Sequence, residues 1–225
     1  MNEEEEEEIK ASQTDNDCEW RSQKLPPGVV YVHNVAPETF LARLEEIRRE
    51  LPVSRESSIM SCARMFLRDA DIAMELRHIL DTACVAKGHP GVHHVMSDLR
   101  FLDYKAGGYI KAHRDGVRVD EESSAAMDAE GVVRSSDTTF LLFLSDAPEG
   151  EGGETVFLHD DDNDDADGRD DDLDDESSTI GWIRPRRNSC LLFEHHLRHR
   201  GNCVGLYNKT LLRGDCCREP ATRVT

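Results

Sequence analysis

From about residue 95 onward the chain carries no helical period. It reads as eight short segments rich in branched and aromatic residues, each bounded by turn signals: 97–104, 108–113, 138–145, 154–158, 179–184, 189–194, 202–206 and 208–215. So many short strands bury their apolar faces by folding into a sandwich or a barrel closed on itself. Ahead of them, a strand is expected over residues 28–32. Pro37 and Glu38 then open a helix whose apolar stripe is Phe40, Leu41, Leu44, Ile47 and Leu51, stopped by Pro52. A second helix is expected on Ile72, Leu76, Ile79, Leu80 and Ala83, closed by Gly88 and Pro90. The expected fold class is therefore mainly β with flanking helices (α+β), with helical support over 37–88 and a β core over 95–216.

The net charge of −19 is concentrated in two places. Residues 3–8 are six glutamates, and residues 160–176 hold twelve acids against one arginine, so these two runs carry −17 of it. The rest of the chain is close to neutral. It has no basic stripe to attract a phosphate backbone, and no nucleic-acid partner is expected. Residues 1–25 read as a disordered acidic tail, 160–176 as a solvated acidic loop insertion, and 219–225 as a C-terminal tail, leaving 26–218 as one domain. The polar loop at 116–136 is long enough to cover a substrate. No apolar run reaches the length of a membrane span, and no secretory leader is visible. Seven cysteines with no C-x-x-C pair point to a reducing compartment, cytoplasmic or nuclear.

Chemistry enters at His113-Arg114-Asp115. In an extended strand residues i and i+2 share a face, so the imidazole and the carboxylate can grip one ion. Two histidines and one carboxylate on one octahedral face are the ligand set of non-haem iron(II) oxygenases. A third ligand would have to come from another strand, and the segment 190–199 offers His195, His196 and His199. Spacing alone leaves all three open.

Four blocks occur in order around this pair. Tyr104, Gly107, His113 and Asp115 form Y-x-x-G-x-x-x-x-x-H-x-D. Thr139 to Asp146 is followed by the G-G-E-T-x-F turn of Gly152 to Phe157. Pro185, Leu191 and Phe193 lead to His199 and Gly201, and Lys209, Arg213 and Asp215 end the series as K-x-x-x-R-x-D. Together these resemble the 2-oxoglutarate and iron(II)-dependent dioxygenases, in particular the prolyl 4-hydroxylase-like catalytic domain. The resemblance implies a double-stranded β-helix (jelly-roll, cupin-like) core with His113, Asp115 and His199 as metal ligands and no catalytic residue beyond them. It implies that Lys209, ten residues after His199, neutralises the far carboxylate of 2-oxoglutarate, and that Tyr104 hydrogen-bonds the same cosubstrate. Thr139 and Arg213 are candidates for that pocket, with Arg213 either lining it or pairing with Asp215. His195 and His196 become strand-end residues.

The activity so implied is hydroxylation of an unactivated C–H bond by O2, with 2-oxoglutarate converted to succinate and CO2 and ascorbate as reductant for the iron. A prolyl or other amino-acid side chain of a peptide or protein is the expected target, with a small molecule also open. The alternative is a non-catalytic, cupin-like metal-binding scaffold whose acidic segments recruit a partner. Three positions depart from the family pattern. Arg200 stands where a glutamate is usual, Asn188 where a glycine is usual, and Phe143 where a tyrosine is common. Arg200 and the short approach through Leu206, Tyr207 and Asn208 are expected to reshape the entrance.

Overall fold

The computed structural model describes residues 25–54, 61–119, 135–159 and 178–218. In chain order the elements are β1 (Val30–His33), α1 (Glu38–Glu50), β2 (Ala63–Arg68), α2 (Ala70–Ala86), β3 (Val92–Val95), β4 (Asp98–Tyr104) and β5 (Ile110–His113). They continue with β6 (Thr138–Phe143), β7 (Thr155–Leu158), β8 (Thr179–Ile183), β9 (Ser189–Glu194), β10 (His199–Gly201) and β11 (Lys209–Arg218).

A seven-stranded sheet runs β1-β9-β6-β11-β4-β2, with β3 paired to the far end of β11, and a four-stranded sheet runs β5-β10-β7-β8. From β4 onward successive strands fill the two sheets as a jelly roll does, and every pairing is antiparallel. The expected double-stranded β-helix is the observed fold.

Alternation along the central strands explains how both faces of the large sheet are covered. Phe140 and Leu142 of β6, Leu192 of β9 and Leu212 of β11 point one way, into a cluster with Phe40, Leu41 and Leu44 of α1 and Leu76 and Leu80 of α2. Leu141, Phe143, Leu191, Phe193 and Leu211 point the other way, to meet Phe157 and Ile183 of the small sheet. The helices thus close the outer face and leave the space between the sheets as the interior. Asp69 caps α2 by accepting hydrogen bonds from the backbone N–H groups of Asp71 and Ile72 at 3.0 and 2.9 Å. Asn188 has φ near 60°, the left-handed region that favours glycine, which accounts for the family's preference there. Its amide also clasps both backbone groups of Ala36, fixing the chain where β1 leads into α1.

The sequence expectations need four corrections. Residues 63–68, inside the span expected as helical support, form β2. Met65 and Leu67 face the core while Arg64, Phe66 and Arg68 do not, a period-2 pattern hidden beside the helix that follows. A further strand, β3, precedes β4, and the first strand starts at Val30 instead of residue 28. The strand expected at 202–206 is instead β10 at His199–Gly201; Val204 makes only an isolated bridge to Gly152. The acidic tail up to residue 24, residues 120–134 of the polar loop, the acidic run 160–176 and residues 219–225 lie outside the described residues. No described helix is long and apolar enough to cross a membrane.

Candidate metal centre

His113 ends β5 and His199 begins β10, and the two are direct cross-strand partners with ring centroids 4.3 Å apart. Asp115 follows two residues after His113, where its backbone N–H donates to the His195 carbonyl at 3.1 Å and ties the turn after β5 to the turn before β10. The imidazole Nε2 atoms of His113 and His199 each lie 3.7 Å from a different oxygen of Asp115. One ligand atom from each of the three residues falls within 4.8 Å of the others, a grouping suited to a metal ion.

Each histidine is oriented by its other nitrogen. Nδ1 of His113 lies 2.8 Å from the Lys111 carbonyl and Nδ1 of His199 lies 3.0 Å from the Leu197 carbonyl. A carbonyl can only accept, so the proton belongs on Nδ1 and the lone pair of Nε2 faces the cluster. Burial, reinforced by the neighbouring His113, brings the His199 imidazole down to about 4, so it is neutral near pH 7, as a ligand must be.

Asp115 is held as an anion. Burial opposes its ionisation, but the Arg213 guanidinium, His199, the Thr139 hydroxyl and His113 outweigh it and keep the carboxyl well below the ordinary carboxylate range. Arg213 donates to one oxygen at 2.7 Å, and Thr139 donates its hydroxyl to the other at 2.6 Å. The same guanidinium reaches Asp215 at 3.2 Å, so a single cation bridges two carboxylates. Sequence reasoning offered Thr139 and Arg213 as pocket residues for the cosubstrate; their described hydrogen bonds go to Asp115 and Asp215. Both readings of Arg213 omitted Asp115, which lies 98 positions away in the chain.

His195 and His196 separate clearly from His199. His195 is 5% exposed and packs with Nε2 3.4 Å from Asp215, whereas His196 is exposed beside Glu194. Arg200 is buried, alternates to the face opposite His199 and donates to Asn202 at 3.1 Å, so it does not line the metal cluster.

Lys209 starts β11 on the same face as Leu211 and Arg213, opposite Tyr104 of β4. The residue is 2% exposed, and its amine donates to the Gly153 carbonyl at 2.7 Å and lies 5.0 Å from the Tyr104 ring centroid and 6.0 Å from that of Phe143. It forms no ion pair among the described residues. Burial pulls the ammonium down to about 8 even though Glu154 partly supports its charge. An ammonium carries three donors, so this one has capacity left for an anion. The Tyr104 hydroxyl is partnered by the Cys62 thiol, and burial pushes the phenol far above its ordinary range.

The Gly153 carbonyl is a contributor that sequence reasoning missed. Gly153 has φ near 80°, and a Cβ there would strike the hydroxyl of Tyr207, so only glycine lets this turn present its carbonyl to Lys209. The paired glycines of the G-G-E-T-x-F block were the available signal.

Comparison with known proteins bears on this arrangement. No curated protein matches the sequence. The chain superposes on a Pseudomonas putida prolyl-4-hydroxylase with a TM-score of 0.52 at 16% identity, covering 89% of this chain and 96% of that one. SnoN, a non-heme alpha-ketoglutarate-dependent epimerase from nogalamycin biosynthesis, gives a TM-score of 0.54 at 16% identity, covering 92% and 83%. HygX from Streptomyces hygroscopicus, solved with nickel, 2-oxoglutarate and hygromycin B bound, gives 0.53 at 12% identity, covering 88% and 84%. At such identities these likenesses concern the fold alone. The sequence itself matches the 2OG-Fe(II) oxygenase superfamily model over residues 99–211, from β4 into β11, and the chain belongs to that superfamily.

Proposed function

We propose that the protein hydroxylates an unactivated C–H bond of an amino-acid side chain, with a prolyl residue as the first candidate, in a single catalytic domain spanning residues 26–218. In this reading His113, Asp115 and His199 hold iron(II), and Lys209 with Tyr104 receives the far carboxylate of 2-oxoglutarate. The observation that carries it is the convergence of two imidazoles and one ionised carboxylate in the same interior as a buried lysine without an ion-pair partner among the described residues. The donor set fits the ion, since neutral imidazole and carboxylate suit iron(II) and leave positions for small ligands. Bound there, iron(II) would supply the redox chemistry by which O2 and 2-oxoglutarate yield succinate, CO2 and the hydroxylated product.

The chain's own work is positional and electrostatic. The Lys111 and Leu197 carbonyls hold the imidazoles in the tautomer that presents Nε2. Arg213 and Thr139 fix the Asp115 carboxylate so that it cannot turn away or take up a proton. Lys209, shielded from water by Tyr104 and Phe143, acts as a point charge in surroundings that screen it weakly. A metal-binding scaffold without turnover has no use for such a buried cation, which favours the enzyme. Ascorbate as reductant and a reducing cytoplasmic or nuclear setting complete the proposal.

The test is anaerobic loading with iron(II), then exposure to O2 with 2-oxoglutarate and measurement of succinate. Slow succinate release is expected even without a second substrate. His199→Ala is expected to abolish it and His195→Ala to leave iron binding intact. The reverse pattern would overturn the ligand assignment.

A further inference from the structure

Arg100 lies on the inner face of β4 with Leu102 and Tyr104. It stands opposite Arg213 of β11 on one side and opposite Phe66 of β2 on the other. Two guanidinium groups on neighbouring strands repel each other, yet they are provided for unequally. Arg213 rests against Asp115 and Asp215. Arg100 makes no ion pair or hydrogen bond among the described residues, and its neighbour there is the face of Phe66, 6.0 Å from its guanidinium carbon. Burial, with the repulsion of Arg213, pulls the Arg100 guanidinium down to about 10, far below an ordinary arginine.

Phe66 is equally conspicuous. It is 52% exposed on the outermost strand of the large sheet, and Arg64 approaches the same ring at 5.8 Å. The result is an apolar plate flanked by two cations and continuous, through Arg100, with the arginine that braces Asp115. A half-buried cation without an ion pair among the described residues, whose charge Asp215 and Asp115 support only from beyond ion-pair distance, lies next to an uncovered aromatic ring and matches a ligand with an anionic group and an apolar body.

We propose that Arg100 and Phe66 form the substrate-docking platform of this enzyme, and that the substrate carries a carboxylate or phosphate for Arg100 and a flat or aliphatic body for Phe66. This deepens the oxygenase reading and rests on it. It narrows the target to a peptide that carries an anionic group beside the side chain to be hydroxylated, and it sets substrate choice on β2 and β4, away from Arg200.

The experiment uses the full chain saturated with zinc(II) in place of iron and with 2-oxoglutarate, so that Lys209 is occupied and no turnover occurs. Benzoate, phenyl phosphate and the neutral benzamide are titrated in parallel and followed by ligand-detected NMR. Saturable binding of at least one anion in preference to benzamide is expected. The stronger of the two identifies the anionic group as carboxylate or phosphate. Arg100→Gln should weaken the preferred anion about tenfold or more, Arg100→Lys should restore part of the loss, and Phe66→Ala should weaken binding severalfold. Anions that bind no better than benzamide, or a preference that survives in Arg100→Gln, would overturn the proposal. Binding of 2-oxoglutarate to the wild-type protein is measured first; its failure would sink the oxygenase reading instead. Melting curves on the three variants separate lost docking from lost folding, and the lysine variant keeps the test decisive if the glutamine variant is unstable.

Discussion

Asp115 and Lys209 are both charged side chains buried in the same interior, but their surroundings differ. Asp115 is encircled, with one oxygen taken by Arg213 and the other by Thr139, and its charge is secured before any ligand arrives. Lys209 has one carbonyl and two aromatic rings, and its charge is costly to keep. On the proposed reading, the difference teaches that the two ends are prepared for different events. One is pre-organised so that its carboxylate always faces the cluster, and the other is left short of an anion so that binding one relieves a penalty.

The strongest way to break this contrast is Lys209→Ala. It should raise the 2-oxoglutarate requirement about 100-fold, the effect of losing a buried charged partner, with iron(II) affinity nearly unchanged. Loss of both together, seen by titrating each ligand separately, would mean that the two ends are not independent. Arg213→Gln is the converse and should lower iron(II) affinity about tenfold, with less effect on 2-oxoglutarate.

Titration sharpens the same contrast. The free Lys209 ammonium titrates near 8, and a bound carboxylate would raise that value. Affinity for 2-oxoglutarate should therefore be flat below about pH 8 and fall about tenfold per unit above it, until the pKa of the bound state is reached. Stability moves in the opposite sense. A lysine whose folded pKa is depressed destabilises the fold most below about 8, and the penalty fades as the pH rises toward the ordinary lysine value. Lys209→Met should accordingly melt no lower than wild type at pH 7, which a thermal scan checks. The smallest expected effect is that of Gly153→Ala. By displacing the carbonyl from Lys209 it should weaken 2-oxoglutarate severalfold and leave iron(II) binding intact.

What the sequence made legible follows from periodicity. Short runs rich in branched and aromatic residues between turn signals, at 138–145 and 189–194, marked strands, and the helical stripes of Phe40, Leu41 and Leu44 and of Ile72, Leu76 and Leu80 marked the faces that pack on them. His113 and Asp115 were legible as a pair because they are two residues apart in the sequence, although β5 ends at His113 and Asp115 lies just beyond it. His199 could not be separated from His195 and His196 by spacing. The cross-strand register with His113 singles it out, and register between distant strands is set by the whole sheet. The link from Arg213 to Asp115 was hidden for the same reason. The Gly153 carbonyl was invisible because a backbone group leaves no signature in side-chain chemistry. β2 was missed because six alternating residues run directly into a helix cap at Asp69.

The ten residues of β11 serve two masters. Lys209, Arg213 and Asp215 look inward, while Leu212 and Gly214 back onto the layer beneath the helices, where any side chain at Gly214 would meet the ring of Phe140. Repacking behind this strand would be transmitted straight through the backbone to the charged groups on its front. Evolution or engineering of new specificity here would therefore be channelled into β2 and β4 at the rim, and β11 would behave as the fixed spine.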